Sequence, residues 1–231
     1  MRVMKKTIYT VRLGDYAPAL CELTLPLLRR YADKIDAEFV IINERKYPEW
    51  SPGYEKMQIF DLGQKAKNDW NIYIDADALI HPDMIDLTAI LPGDTCLTYA
   101  YDQGLVRWKP DRFFLRDGRY IGPGNWFTIA SDWCIDIWHP IDDMTPKEVE
   151  AAITPTVLER RSGVIDSNHL IDDYAVGRNI AKYGLKYISG RELCERIKRP
   201  ELQGLLWHQY ALPTEAKLQV AKKTLSDWGL L

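Results

Sequence analysis

Cysteine and histidine are scarce in this 231-residue chain, four of each. Cys21, Cys96, Cys134 and Cys194 lie far apart, without the CxxC spacing of a zinc site or the density of a disulfide scaffold. They read as reduced core residues. No apolar run approaches the ~20 residues of a membrane span. Basic Met1–Lys6 is followed only by TIYTV, too short for a signal-peptide core. The expectation is a cytoplasmic protein with no transmembrane segment. A basic excess is missing too: 30 Lys and Arg stand against 33 Asp and Glu, a formal net charge of -3. That balance argues against nucleic acid and for a small or uncharged partner. The glycine signatures of the common nucleotide folds are also absent. The first strand runs into RLGDYAPA, whose single glycine cannot supply a GxGxxG turn, and there is no P-loop.

What is present is ordinary globular composition, 46% hydrophobic and 27% charged, with length for a sizeable core. Ile8–Leu13, Glu38–Asn43 and Asn71–Asp75 are apolar, β-branched runs separated by segments of helical spacing. This pattern predicts βαβαβ. In the first linking helix Leu20, Leu23, Leu27 and Tyr31 form the stripe, and Pro26 is expected to kink or divide it. A second helix starts near Tyr54 and carries Met57 and Phe60 inward. Thr95–Tyr101, Trp126–Ala130 and Lys186–Ser189 are further strand candidates. Helices are expected from Ser131, from about His169 to Tyr183 with Gly184 closing it, and over Pro213–Trp228. The fold class is α/β: a Rossmann-like βαβαβ half and a mainly parallel, mixed central sheet flanked by helices. Such sheets bind ligands at the carboxyl ends of their strands.

At one such end stands YIDADALI, residues 73–80. In an extended chain residues i and i+2 point to one side, so Asp75 and Asp77, separated only by small Ala76, would face a single point. Two carboxylates that close repel unless one is protonated or a cation lies between them. An EF-hand is excluded, because Ala78, Leu79 and Ile80 fall where calcium ligands and the required glycine belong. Oxygen ligands for magnesium or manganese remain, and such ions usually keep positions open for phosphates.

YIDADALI, late in a βαβαβ half, resembles the DxD motif of glycosyltransferases of the A-type nucleotide-sugar fold, nearest to the glycogenin-like and plant xylosyltransferase-like groups. Three more stretches carry the resemblance: YEKMQIF before the motif strand, GPGNWFTIAS, and LLWHQY near the C-terminus. QYALP follows the late histidine here, where those groups have a glycine and a Lys-Pro-Trp segment. The resemblance implies a Mn2+ (or Mg2+) ion on Asp75, Asp77 and His208, holding the diphosphate of a UDP-sugar donor. Donor contacts would then fall on Lys56, Asp75, Ala76 and Asn125, and on Thr10 and Arg12 at the carboxyl end of strand one. It implies transfer of a hexose or pentose to a hydroxyl acceptor, with carbohydrate as the expected class. The chain would be one domain, 1–231: a nucleotide-binding half over 1–101, a donor-sugar and acceptor half over 102–212, and a C-terminal helix over 213–231.

Other residues have two readings each. Asp172 and Asp173 open a helix, where acidic residues ordinarily favour the dipole; as a site pair, one would accept the acceptor hydroxyl's proton. His81, four residues after Asp77, is a rival ligand that the following proline pushes into an extended conformation. His139 and His169 lack acidic neighbours at ligand spacing. Trp50, Trp108 and Trp126 are core area or sugar platforms. Arg107, Lys109, Arg112, Arg116 and Arg119 make the loop over 102–124 basic, suited to a phosphate or to solvent. The last helix, with Leu218, Ala221, Leu225 and Trp228 in a stripe and Lys217, Lys222 and Lys223 mostly away from it, packs on its own domain or touches a membrane or partner. The same residues also admit two rival functions. One is a phosphatase resembling the haloacid dehalogenase superfamily, although Leu79 replaces its Thr or Val. The other is a module that binds sugar nucleotides without turnover.

Overall fold

The computed structural model describes residues 4–99, 125–154, 171–208 and 212–231. Strands β1 (Lys6–Val11), β2 (Ala37–Ile42) and β3 (Trp70–Ile74) alternate with helix α1 (Pro18–Lys34) and with a 3-10 segment, Pro52–Gln58, that runs into α2 (Ile59–Ala66). After these come β4 (Leu79–Ile80), β5 (Thr95–Tyr99), β6 (Phe127–Ser131) and a 3-10 segment, Asp132–Trp138. Helices α3 (Pro146–Ile153) and α4 (Ile171–Lys182) precede β7 (Lys186–Ser189) and α5 (Gly190–Arg196). A 3-10 segment, Pro200–Leu205, then leads to β8 (Leu206–Trp207) and α6 (Thr214–Asp227).

Six strands form one sheet in the order β2-β1-β3-β6-β5-β7. β1 pairs in parallel with β2 and β3, and β5 with β7, while β6 runs against both its neighbours. The sheet is therefore mixed and mainly parallel, as the alternation of elements predicts. Both of its faces are buried, because successive residues of each strand serve opposite sides. Ile8, Ile72 and Ile74 join Leu28, Tyr31, Leu97, Ile129 and Leu193, the side covered by α1 and α5. Tyr9 and Tyr73 join Ile59, Cys134, Ile137, Tyr174 and Val176, the side covered by α2, α4 and the 132–138 segment. Each of these fully buried aliphatic side chains contributes about 1.5–3 kcal/mol. All four cysteines are buried and free.

Several local expectations change. Helix α1 is continuous through Pro26. Proline removes the bond to the carbonyl of Glu22, but both residues are exposed, so water can satisfy that carbonyl. The helices expected near Tyr54 and from Ser131 begin or remain as 3-10 segments. Gly184 does close α4, at φ +62. Gly190, by contrast, is required by packing, since a Cβ there would lie 1.7 Å from Tyr99 Cδ2. The stripe of α6 turns onto its own chain: Ala221 and Leu225 pack with Ala17, Leu20 and Leu79. Among the described residues no helix is long and apolar enough to cross a membrane.

A second sheet, of only two strands, ties a late segment of the chain to the aspartate motif. β4, directly after the motif, pairs antiparallel with β8, placing Leu79 opposite Trp207 and Ile80 opposite Leu206. His81 N–H also donates to the Leu205 carbonyl at 2.8 Å. The chain segment that ends in His208 is thereby brought to Asp75 and Asp77.

Candidate functional site

The carboxyl ends of β1, β2 and β3 share one edge of the main sheet, and the start of β6 lies beside them because Phe127 pairs with Ile74. The extended aspartate pair expected from the sequence is not what forms at this edge. β3 ends at Ile74, and Asp75–Ala78 is a turn in which Ala78 N–H donates to the Asp75 carbonyl at 3.0 Å. The aspartates converge because the chain turns, rather than because an extended strand alternates. Two further bonds hold that turn: Thr24 Oγ1 donates to the Ala76 carbonyl at 2.5 Å, and Asp75 N–H donates to the Trp126 carbonyl at 2.8 Å.

His208 Nε2 lies 3.2 Å from Asp75 Oδ2 and 3.3 Å from Asp77 Oδ1. One ligand atom from each of the three residues lies within 4.8 Å of the others, a group that could hold a metal ion. Donors about 2.1 Å from one ion sit roughly 3 Å apart around it, so this spacing suits a shared coordination sphere. Two carboxylates and an imidazole are also an ordinary donor set for a divalent ion. The supporting contacts fix each donor. Trp126 stacks on the His208 ring at 5.3 Å and 10°. Tyr73 Oη donates to Asp75 Oδ1 at 2.5 Å, and Tyr16 Oη donates to Asp77 Oδ2 at 2.9 Å. Lys217 Nζ, from α6, also donates to Asp77 Oδ2.

Burial by itself would lower the pKa of His208, but its bonds to Asp75 and Asp77 outweigh this and raise it to about 9. Burial would raise Asp77, yet His208 and Lys217 hold its carboxyl well below the usual range. Asp75 is also lowered, by Lys56 and His208 against burial.

A second group adjoins the first through Lys56, whose side chain is 2% exposed. Its ammonium lies 2.6 Å from Asp172 Oδ2, 3.6 Å from Asp75 Oδ1 and 4.3 Å from the centre of the Tyr73 ring, and it donates to Asn125 Oδ1 at 2.6 Å. Asp173 Oδ1 accepts the Asn125 backbone N–H at 3.0 Å. Burial opposes the charge on Lys56, but Asp172 and Asp75 overcome it and raise its pKa. Burial lifts Asp172 above the ordinary carboxylate value, with the charge of Asp173 adding to it against the pull of Lys56. Lys56, Asn125, Asp172 and Asp173, scattered in the sequence, are thus one network.

Thr10 and Arg12 stand at the carboxyl end of β1. Arg12, Gly14, Ile41 and Asn43 line an open cleft of ≈ 400 Å³. Among the described residues, Thr10 Oγ1, Arg12 Nε and Asn125 Nδ2 are buried and find no hydrogen-bond partner. Buried polar atoms of that kind call for an explanation, of which a ligand is one.

The remaining candidates sort clearly. His81 is not in the cluster: its Nδ1 accepts the Asp83 N–H at 3.0 Å and its ring packs edge-on against Trp228. His139 packs on Phe60 and Tyr183. Trp50 stacks on Tyr54 in the core. His169, Trp108, Arg107, Lys109, Arg112, Arg116 and Arg119 lie outside the described residues. Sequence reasoning missed Tyr16, Tyr73 and Lys217. Tyr73 carries a signal, since a tyrosine in a buried strand needs a partner for its hydroxyl; Tyr16 and Lys217 carry none.

No family model matches the chain, and no curated protein sequence matches it. Solved structures do. A glycosyltransferase involved in the glycosylation of the major capsid of PBCV-1 superimposes with a TM-score of 0.51 at 12% identity, covering 96% of this chain and 100% of that one. A197 from STIV gives a TM-score of 0.36 at 16% identity over 61% of this chain and 70% of that one. At 12% identity the first likeness is one of fold, and it places this chain's architecture with that of a viral glycosyltransferase.

Proposed function

We propose that this protein is a metal-dependent glycosyltransferase that moves a sugar from a nucleoside-diphosphate sugar, UDP-linked in our reading, to a hydroxyl of a glycan acceptor. The observation that carries the reading is the meeting of Asp75, Asp77 and His208 at the carboxyl edge of a sheet with a glycosyltransferase architecture. Those three residues would hold a Mn2+ or Mg2+ ion, and such an ion would supply positive charge to offset that of a diphosphate leaving group.

The other residues then take roles that their contacts support. Arg12 lines the cleft at the ends of β1 and β2, where the nucleoside would lie, and its Nε, like Oγ1 of the buried Thr10 nearby in β1, finds no partner among the described residues. Asn125 would offer the donor sugar its amide nitrogen, which finds no partner among the described residues, while Lys56 holds its oxygen and Asp173 its backbone N–H. Asp172, whose pKa burial raises, accepts the proton of the acceptor hydroxyl. Asp172 and Asp173 stand in the first turn of α4, so the helix dipole also favours their charge.

The test is a melting measurement with UDP, GDP or no nucleotide, each in manganese and in chelator, because a ligand of the folded state raises apparent stability by mass action. The expected result is a rise of several degrees that needs both UDP and manganese, and its loss in Asp77→Asn. No shift with either nucleotide, together with magnesium-dependent hydrolysis of an aryl phosphate, would transfer the site to the phosphatase reading. A shift without transfer or donor hydrolysis would make the protein a binding module.

A further inference from the structure

Lys217 is a charged side chain at this site that the proposed chemistry leaves unused. It rises from the first turn of α6, and only 14% of its side chain is exposed. Its ammonium bonds to Asp77 Oδ2, the oxygen that also accepts from Tyr16, while the other oxygen of the same carboxylate faces His208. The two oxygens of Asp77 therefore have different tasks: the inner one points to the metal position, and the outer one holds a fixed positive charge. A divalent ion on the inner oxygen would meet that charge across a single carboxylate. At such distances, in a partly buried site, the repulsion between them is large compared with thermal energy.

We propose that Lys217 is a positioning residue that makes metal binding conditional on the nucleotide. In the free protein its ammonium partly neutralises Asp77 and weakens the site for a bare ion. When a nucleoside diphosphate arrives, its phosphate oxygens supply the anionic charge that Lys217 and the ion can share, and the two ligands bind as a pair. Lys217 at the same time orients Asp77, so its removal strengthens the bare-ion site by taking away the competing charge and weakens the assembled one by releasing the carboxylate. The inference rests on the metal–diphosphate reading of the site.

Calorimetric titration of MnCl2 into the full chain, with and without saturating UDP, tests it in wild type, Lys217→Met and Lys217→Arg. Methionine keeps the aliphatic stem and helix propensity while removing the charge. Melting in chelator verifies that each variant is folded, and Lys217→Gln replaces the methionine variant should that one fail. The wild type should bind manganese weakly alone and much more tightly with UDP. Lys217→Met should bind bare manganese about tenfold or more tightly than wild type, with a correspondingly smaller gain from UDP. Lys217→Arg should restore the wild-type pattern, which a role in packing alone would not require. If wild type binds manganese with UDP but Lys217→Met binds bare manganese no more tightly than wild type, the role of Lys217 is overturned and the metal site stands. If wild type binds no manganese under either condition, both readings fall.

Discussion

Among the described residues, His208, Lys217, Tyr16, Tyr73 and Lys56 bear directly on Asp75 and Asp77, and Asp172 acts on them through Lys56. His208 connects this residue-scale electrostatics to a measurable pH dependence. With no ion bound, its pKa is raised to about 9, burial opposing and both aspartates favouring the imidazolium. A metal ligand must be unprotonated, so below pH 9 an ion has to displace that proton. Affinity for manganese in the presence of UDP should therefore climb with pH, by up to about tenfold per unit between roughly pH 6.5 and 8.5, and level off above about 9. Titrations at about pH 7.5 in two buffers of different ionisation enthalpy should count close to one proton released. An affinity flat across that range would remove His208 from the ligand set. The aspartate pair was legible because its members are neighbours in sequence. Tyr16 and Lys217 were not, since nothing local distinguishes them from any surface tyrosine or lysine.

At the scale of elements, the site depends on short, irregular pieces that propensity describes poorly. The 3-10 segment Pro52–Gln58 presents Lys56, and it is tied to the connection after β2 by Glu55, which is fully buried. Glu55 accepts from Arg45 Nε at 2.9 Å, Lys46 N–H at 2.9 Å, Tyr47 N–H at 3.0 Å and Gln58 Nε2 at 2.7 Å. Glu55→Gln puts an NH2 group among those donors and leaves Arg45 without its carboxylate. The expected loss is about 2–3 kcal/mol, read from the urea midpoint, with an unchanged slope. A change within about 0.5 kcal/mol would mean that the loop holds Lys56 by other contacts. The helical stripe around Met57 was visible in the sequence, but the tighter 3-10 winding was not. Tyr54 and Met57 of that segment are buried in one apolar cluster with Tyr73 and Ile137, partners that lie far along the chain.

For the whole molecule, α6 is the element that joins the last stretch of the chain to the site edge of the sheet. Ala221 and Leu225 seat it on Ala17, Leu20 and Leu79, and through that seat Lys217 reaches Asp77. Leu225→Ala touches no atom of the site, yet it should loosen the helix. The cost expected for truncating a buried leucine is about 2–5 kcal/mol, seen first as faster amide exchange across α6. UDP affinity in manganese should fall with it. Undiminished affinity in a variant with an exchange-labile α6 would show that the helix is independent of the site. By itself the sequence determined the α/β class, the succession β1-α1-β2-α2-β3, the apolar stripe of α6 and the acidic pair, because these are written in local periodicity and in adjacent residues; α3, α5, β4 and β8 and the direction in which the α6 stripe faces were not legible. Only the tertiary structure decided that the aspartates lie in a turn, that β4 and β8 pair to deliver His208, and that Lys56 and Lys217 approach the motif from distant parts of the chain. Those outcomes come from long-range pairing and burial, where a residue's partner is set by how the sheet stacks and closes.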